Sequence, residues 1–129
     1  MYKEIIICIV VIALIAVGNI ITQNNTVKIV DEMKSNLEVL QEEVTKETAS
    51  KEKAKQKMQK VQKAWNDYYE TMAYYIEHDE LEKVGTELTK LGSDIEMEEY
   101  SMAAENLSNC TFILEHIKDK SALKIVNIF

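Results

Sequence analysis

The sequence predicts an all-α protein: an N-terminal transmembrane helix, a long stalk helix, and a small antiparallel helical bundle formed with two further helices. Three observations lead to this prediction. The 129 residues include no proline and three glycines, and they are rich in the helix formers Glu, Lys, Ala, Leu and Met. After residue 26, apolar residues recur every three or four positions, which is the period of a helix. Before residue 26 lies one long apolar run.

The apolar run covers residues 5–21 and is interrupted only by Gly18 and Asn19. At about 1.5 Å per residue it spans roughly 25 Å, and extending it to residues 2–22 completes a bilayer crossing. We therefore predict that residues 1–23 are a retained signal-anchor in the lipid bilayer. A signal peptide cleaved at Gly18 is one alternative, because small residues stand at Ala16 and Gly18. A buried core helix is another.

The orientation of this segment follows from the charges that flank it. Lys3 and the α-amine on one side are balanced by Lys28 and Lys34 on the other, and residues 22–26 carry no positive charge. We predict a single-pass protein of the cell membrane with its C-terminal domain extracytoplasmic.

Residues 24–50 are predicted to form a coiled-coil-like stalk and residues 51–129 a helical bundle with an apolar tail. The stalk has the alternating three-and-four spacing of a coiled-coil seam, which predicts a homodimer through the stalk. The same frame resumes after Lys51, so one helix is predicted from about residue 26 to residue 77. Thr48 and Ser50 could cap a new helix, and a break near residue 49 is the alternative. The seam consists of Val30, Met33, Leu37, Leu40 and Val44.

An aromatic stripe follows on the predicted long helix and is interpreted as the bundle core, with ligand binding as the alternative. Tyr74 lies on the opposite side of that helix, which makes it a candidate partner contact. The stripe consists of Trp65, Tyr68, Tyr69, Met72, Tyr75 and Ile76.

Two more helices are predicted from capping signals. The capping-box form of residues 79–82 starts one helix, which Gly92 ends as a left-handed residue. Residues 93–96 repeat that form and start the next helix. Residues 119–121 break its apolar pattern. The tail at 122–129 is too apolar to stay in water, so it docks in a groove of the bundle or on a membrane partner. Its candidate contacts are Leu123, Ile125, Ile128 and Phe129.

The charges argue against nucleic acid as a partner, because the formal net charge is −7. Six lysines nevertheless lie within residues 51–63. We interpret them as a solvated face or a complement to the acidic C-terminal half, and an anionic-lipid or phosphate site is the alternative.

No catalytic, cofactor or metal site is predicted, and we do not expect an enzyme. His78 stands among acidic residues, but consecutive carboxylates at a helix start point in different directions. Cys110 and His116 are six residues apart, so they lie about 240° apart around a helix and cannot form a nucleophile pair. Cys8 lies in the apolar run and cannot reach Cys110 for a disulfide.

A set of residues spread over nearly the whole length resembles one uncharacterised family: Trp65, Tyr69, His78, Asp79, Glu80, Leu81, Leu88, Leu91, Ile95, Ala103, Ala104, Leu107, Ile113, Ile117, Ser121, Ala122, Leu123, Asn127, Ile128 and Phe129. The sequence is similar to the domain of unknown function numbered forty-three sixty-three, found in small single-pass proteins of low-GC, largely spore-forming bacteria. It departs from the family at Leu81, where isoleucine is favoured, and in having Tyr where a second Trp is common. The resemblance implies an anchor, a helical outer domain and no assigned activity. Members are often encoded beside YetF-like membrane proteins, so the resemblance also implies such a partner.

These observations favour a membrane-anchored helical accessory or interaction protein. The alternatives are an extracytoplasmic, sensor-like ligand-binding bundle and a helical bundle secreted after cleavage at Gly18.

Overall fold

The computed structural model describes the backbone of residues 1–128 and the side chains of residues 1–123. It contains four helices: α1 (Tyr2–Thr45), α2 (Lys51–Met72), α3 (His78–Glu96) and α4 (Tyr100–Ile128). There is no β-strand within residues 1–128. The predicted all-α class is confirmed.

The second half of α1 forms a four-helix bundle with the other three helices. α1 packs against α2 and α4, and α3 packs against α2 and α4, so the four helices form a closed ring. Short turns of a few residues join them, which is typical of antiparallel neighbours. α1 and α4 share the most extensive contact, and α2 and α3 share the least.

One apolar stripe from each helix forms the core, with side chains at three- and four-residue spacing. The stripe of α1 is the one whose spacing predicts a coiled-coil seam, and none of its five residues is more than 4 % exposed. Pairing two copies through this stripe would therefore require opening the bundle. The core is completed by Ala54, Met58, Val61, Trp65 and Met72 of α2, Leu81, Val84, Leu88, Leu91 and Ile95 of α3, and Ala103, Leu107, Cys110, Leu114 and Ile117 of α4.

The prediction of one helix from residue 26 to residue 77 is wrong. α1 ends at Thr45, Lys46 is extended, and α2 begins after Ser50, whose Oγ accepts a hydrogen bond of 3.5 Å from the Lys53 amide. The break near residue 49 is the alternative that the structure adopts. A continuous helix would leave the apolar stripes on both sides of the break in water, whereas folding back buries one against the other.

The predicted helix boundary at Gly92 is also wrong. α3 continues through this residue to Glu96, and none of the glycines has a positive φ. The left-handed residue is Glu98, with φ of 57°. Leu91 and Ile95 are both buried on the same stripe, so extending the helix by one turn adds a core residue.

At the start of α3 the N-cap is Glu77, without a side-chain cap hydrogen bond, and the predicted capping box does not form. Asp79 instead lies in the first turn, where its carboxylate interacts favourably with the positive end of the helix dipole.

The break predicted at residues 119–121 does not occur, because α4 runs without interruption to Ile128. Ser121 is buried, and Lys120 pairs with Glu80 of α3 and with Glu77, the N-cap of that helix. The three polar residues therefore fit within a packed helix.

The first half of α1 projects beyond the bundle. It contains a segment long and apolar enough to cross a membrane, and none of that segment is buried within the structure. The alternative of a buried core helix is therefore wrong.

Candidate functional site

The register between α1 and α4 determines which residues lie at which end of the bundle. Lys118 Nζ lies 3.3 Å from Asp31 Oδ1, and Lys34 forms an ion pair with Glu115. Each step toward the C-terminus of α4 thus corresponds to one step toward the N-terminus of α1. The same register places the end of α4 beside residues 21–26 of α1, where the apolar run ends. We call this the proximal end.

The turn between α2 and α3 lies at the same end. The Asn25 amide of α1 donates a hydrogen bond of 3.0 Å to the hydroxyl oxygen of Tyr75 in this turn. Tyr75 and Ile76 are partly buried against the core, whereas Tyr74 points outward and is 90 % exposed. The prediction that Tyr74 faces away from the core is confirmed.

The structure brings two of the predicted contact residues to one end of the bundle. Leu123 of α4 is 58 % exposed and lies level with Thr26 of α1, close to the turn that holds Tyr74. The side chains of Ile125 and Ile128, and the whole of Phe129, lie outside the described residues. Their predicted contact role stays a prediction.

Ion pairs join α3 to α4 beside this end. Lys120 Nζ lies 3.1 Å from Glu77 Oε2 and 3.6 Å from Glu80 Oε1, and the hydrogen bond with Glu77 raises the pKa of Lys120. Glu80 is buried, and its Oε2 makes no hydrogen bond within the described part of the chain. Ile76 and Ile117 also line a cavity of about 10 Å³ here, which is space for one water molecule. The ion pairs fix the two helices, and this cavity is too small for a small-molecule ligand.

At the opposite end of the bundle, which we call the distal end, Glu43 joins α1 to α2. Its carboxylate is buried and accepts hydrogen bonds from Lys46 Nζ at 3.1 Å, the Ser50 amide at 3.2 Å and Lys57 Nζ at 3.4 Å. These contacts, that of Lys46 first, lower the pKa of Glu43. Sequence reasoning missed this residue. One carboxylate thereby holds the end of α1, the turn and the start of α2 together.

The lysine-rich part of α2 pairs with acidic residues of the same chain. Lys51 Nζ and Lys55 Nζ lie 3.4 and 3.0 Å from the two carboxylate oxygens of Glu96, and their contacts lower the pKa of that residue. This agrees with the interpretation that the lysines complement the acidic C-terminal half.

The aromatic stripe of α2 is mainly core. Trp65 is 3 % exposed, and its ring meets that of Tyr69 edge to face with centroids 6.0 Å apart. Both residues also line an open groove beside Leu81 and Gly85 of α3. The groove is continuous with the surface, and it does not enclose a ligand site.

The cysteine and histidine side chains that could take part in chemistry do not lie together. Burial, with a smaller contribution from Glu87, raises the pKa of Cys110 to about 12, so its thiol stays protonated. His78 Nε2 lies 2.9 Å from Glu82 Oε1, while His116 Nε2 lies 3.8 Å from Glu80 Oε1 on another face. Within the described residues, no group of three His, Cys, Asp or Glu side chains could hold a metal ion.

Comparison with known proteins identifies a family. A family profile described as Domain of unknown function (DUF4363) matches residues 20–128, which is the bundle without most of the apolar run. No curated protein and no solved structure matches the chain.

Proposed function

The chain belongs to the DUF4363 family of unknown function, and we propose that it is a membrane-anchored helical accessory protein that contacts another membrane protein. The observation that supports this most directly is that one continuous helix, α1, joins an exposed apolar segment to the packed bundle.

The anchoring step rests on the exposure of the first half of α1. Its isoleucines and valines are roughly half exposed or more, and this chain does not cover them. Transferring a large aliphatic side chain out of water is favourable by about 1.5–3 kcal/mol. Summed over the segment, this strongly favours lipid over water. Because α1 continues into the bundle without a break, the anchor would hold the bundle next to the bilayer.

The contact step rests on Tyr74. The hydrogen bond from Asn25 to Tyr75 ties its turn to α1, and Tyr74 is exposed in that turn. An anchored α1 would therefore present Tyr74 at a fixed position close to the membrane. Tyrosine is enriched at protein interfaces because it buries a large area at a small entropic cost. We assign the partner contact to this residue. The family resemblance makes a YetF-like membrane protein the first partner to test, with the bundle on the extracytoplasmic side.

Photo-crosslinking in native membranes tests this contact. A photoreactive phenylalanine analogue would replace Tyr74, and a matched control would replace Met97, which is 68 % exposed at the distal end. We expect a discrete adduct with one membrane protein from position 74 and none from position 97. The alanine variant at residue 74 should lose that protein in a mild-detergent pull-down. The same adducts from both positions would contradict the proposal.

The two alternatives have less support. A ligand-binding bundle needs an enclosed site, whereas the cavity beside Glu80 has space for one water and the groove beside Trp65 is open. A ligand-dependent rise in the melting temperature would favour this alternative. A secreted bundle requires cleavage at Gly18, within the continuous α1 helix, and the intact mass of the mature protein distinguishes it from the anchored form.

A further inference from the structure

We propose that the end of α4, residues 122–128, inserts into the headgroup layer of the same lipid bilayer that holds α1, as a second, shallow membrane contact. This inference rests on the proposed anchoring of α1. It separates the proximal end of the bundle into a lipid-facing part, the end of α4, and a partner-facing part, Tyr74.

The register of α1 and α4 gives the position of this segment. The pairs of Lys118 with Asp31 and of Lys34 with Glu115 place Leu123 level with Thr26 and Ile128 level with Ile21. Ile21 is the last residue of the apolar run. The end of α4 therefore lies beside the polar residues 22–26 of α1, which is where the chain crosses from lipid to water.

The length of α4 beyond the bundle matches the thickness of that boundary. Asn25 and Tyr75 mark the level of the α2–α3 turn, and α4 continues about five residues past Leu123, or roughly 7 Å. The polar layer on each side of a bilayer is about 5–7 Å thick. The last helical turn of α4 therefore reaches through the headgroup layer to the edge of the hydrocarbon.

The chemistry of the segment suits this layer. Residues 122–128 include four large apolar residues and a single charged side chain, Lys124, which is able to pair with lipid phosphate. Leu123 is 58 % exposed, so the bundle does not cover the first of these apolar side chains. In water that exposure is unfavourable, whereas at this level of α1 lipid is within reach.

Spin-label accessibility in vesicles tests the inference on the full chain. A nitroxide would be attached at Leu123→Cys in a Cys8→Ser background, leaving the buried Cys110 in place, and the protein would be reconstituted in phosphatidylcholine and phosphatidylglycerol vesicles. The matched control is Phe112→Cys. It is 74 % exposed and lies three helical turns earlier on the same face of α4, about 16 Å farther from the membrane.

Collision rates with oxygen, which partitions into lipid, and with a water-soluble nickel chelate give the depth of each label. We expect the oxygen-to-nickel ratio at position 123 to be at least threefold that at position 112. Equal ratios in protein that still floats with the vesicles would overturn this inference and leave the anchoring intact. Low accessibility to both reagents at position 123 would indicate cover by protein and would also overturn it. Protein that does not float would overturn both proposals.

Discussion

Lys118 of α4 lies 3.3 Å from Asp31 of α1, although 87 residues separate them in the sequence. Both side chains are partly exposed, so the pair contributes at most about 1 kcal/mol to stability. Its importance is geometric, because it reports the register that the buried stripes of the two helices impose. That register brings the end of α4 back to the level at which α1 leaves its apolar segment.

The first prediction concerns the stripe of α1. Leu37 is 1 % exposed, so Leu37→Ala should lower the free energy of unfolding by about 2–5 kcal/mol. The matched control is Val39→Ala. The Val39 side chain is 45 % exposed, so this substitution should lower the free energy of unfolding by less than about 0.5 kcal/mol. Urea unfolding in detergent solution measures both.

The burial of this stripe also predicts how unfolding depends on protein concentration. Because it is buried within one chain, the unfolding midpoint should not depend on protein concentration. A midpoint that rises with concentration, together with a loss of dimer in Leu37→Ala, would show that the stripe pairs two copies instead.

The second prediction concerns pH and Glu43. Its pKa is lowered in the folded state, so the ionised carboxylate stabilises the fold above the ordinary glutamate pKa, and this contribution is lost as the pH falls through the folded pKa. Glu43→Gln should therefore reduce the melting temperature at pH 7, and the difference from the wild type should shrink toward pH 3. The matched control is Glu42→Gln, because Glu42 is the exposed neighbour of Glu43, and this variant should show neither effect. A difference that grows on acidification would contradict this role.

The third prediction concerns Cys110, which is buried and has a pKa raised to about 12. In a Cys8→Ser background, the folded protein should react with a thiol reagent at pH 8 at least a hundredfold more slowly than the protein in denaturant, because both access and ionisation are lacking. Stopped-flow or manual labelling measures the two rates. Equally rapid labelling of the folded protein would show that α4 does not pack as described.

Much of the fold follows from apolar spacing alone. The stripes of Leu37 and Trp65 are predicted as the apolar sides of helices, and both lie in the core, because three-and-four spacing gives each helix one apolar side whatever it packs against. The same spacing cannot distinguish a seam between two copies from a stripe buried in one chain. That choice depends on whether the chain turns at residues 46–50, and a single weak N-cap, Ser50, signals the turn.

The candidate site is less accessible to sequence reasoning. The exposure of Tyr74 follows from its position opposite the aromatic stripe, but its closeness to the end of α4 depends on the register of helices far apart in sequence. Glu43 was missed because a single carboxylate at the edge of an apolar stripe looks like any surface acid. The lysines that follow it, Lys46 and Lys57, are a signal only once the turn is known.

Both proposed membrane contacts require that α1 remain in the membrane as one intact helix. Membranes from cells that express the full chain should be washed in alkaline carbonate, and the protein in the pellet and in the wash should be measured by intact mass. We predict that it stays in the pellet with the mass of all 129 residues. Recovery in the wash, or a shorter species that begins at Asn19, would contradict the account.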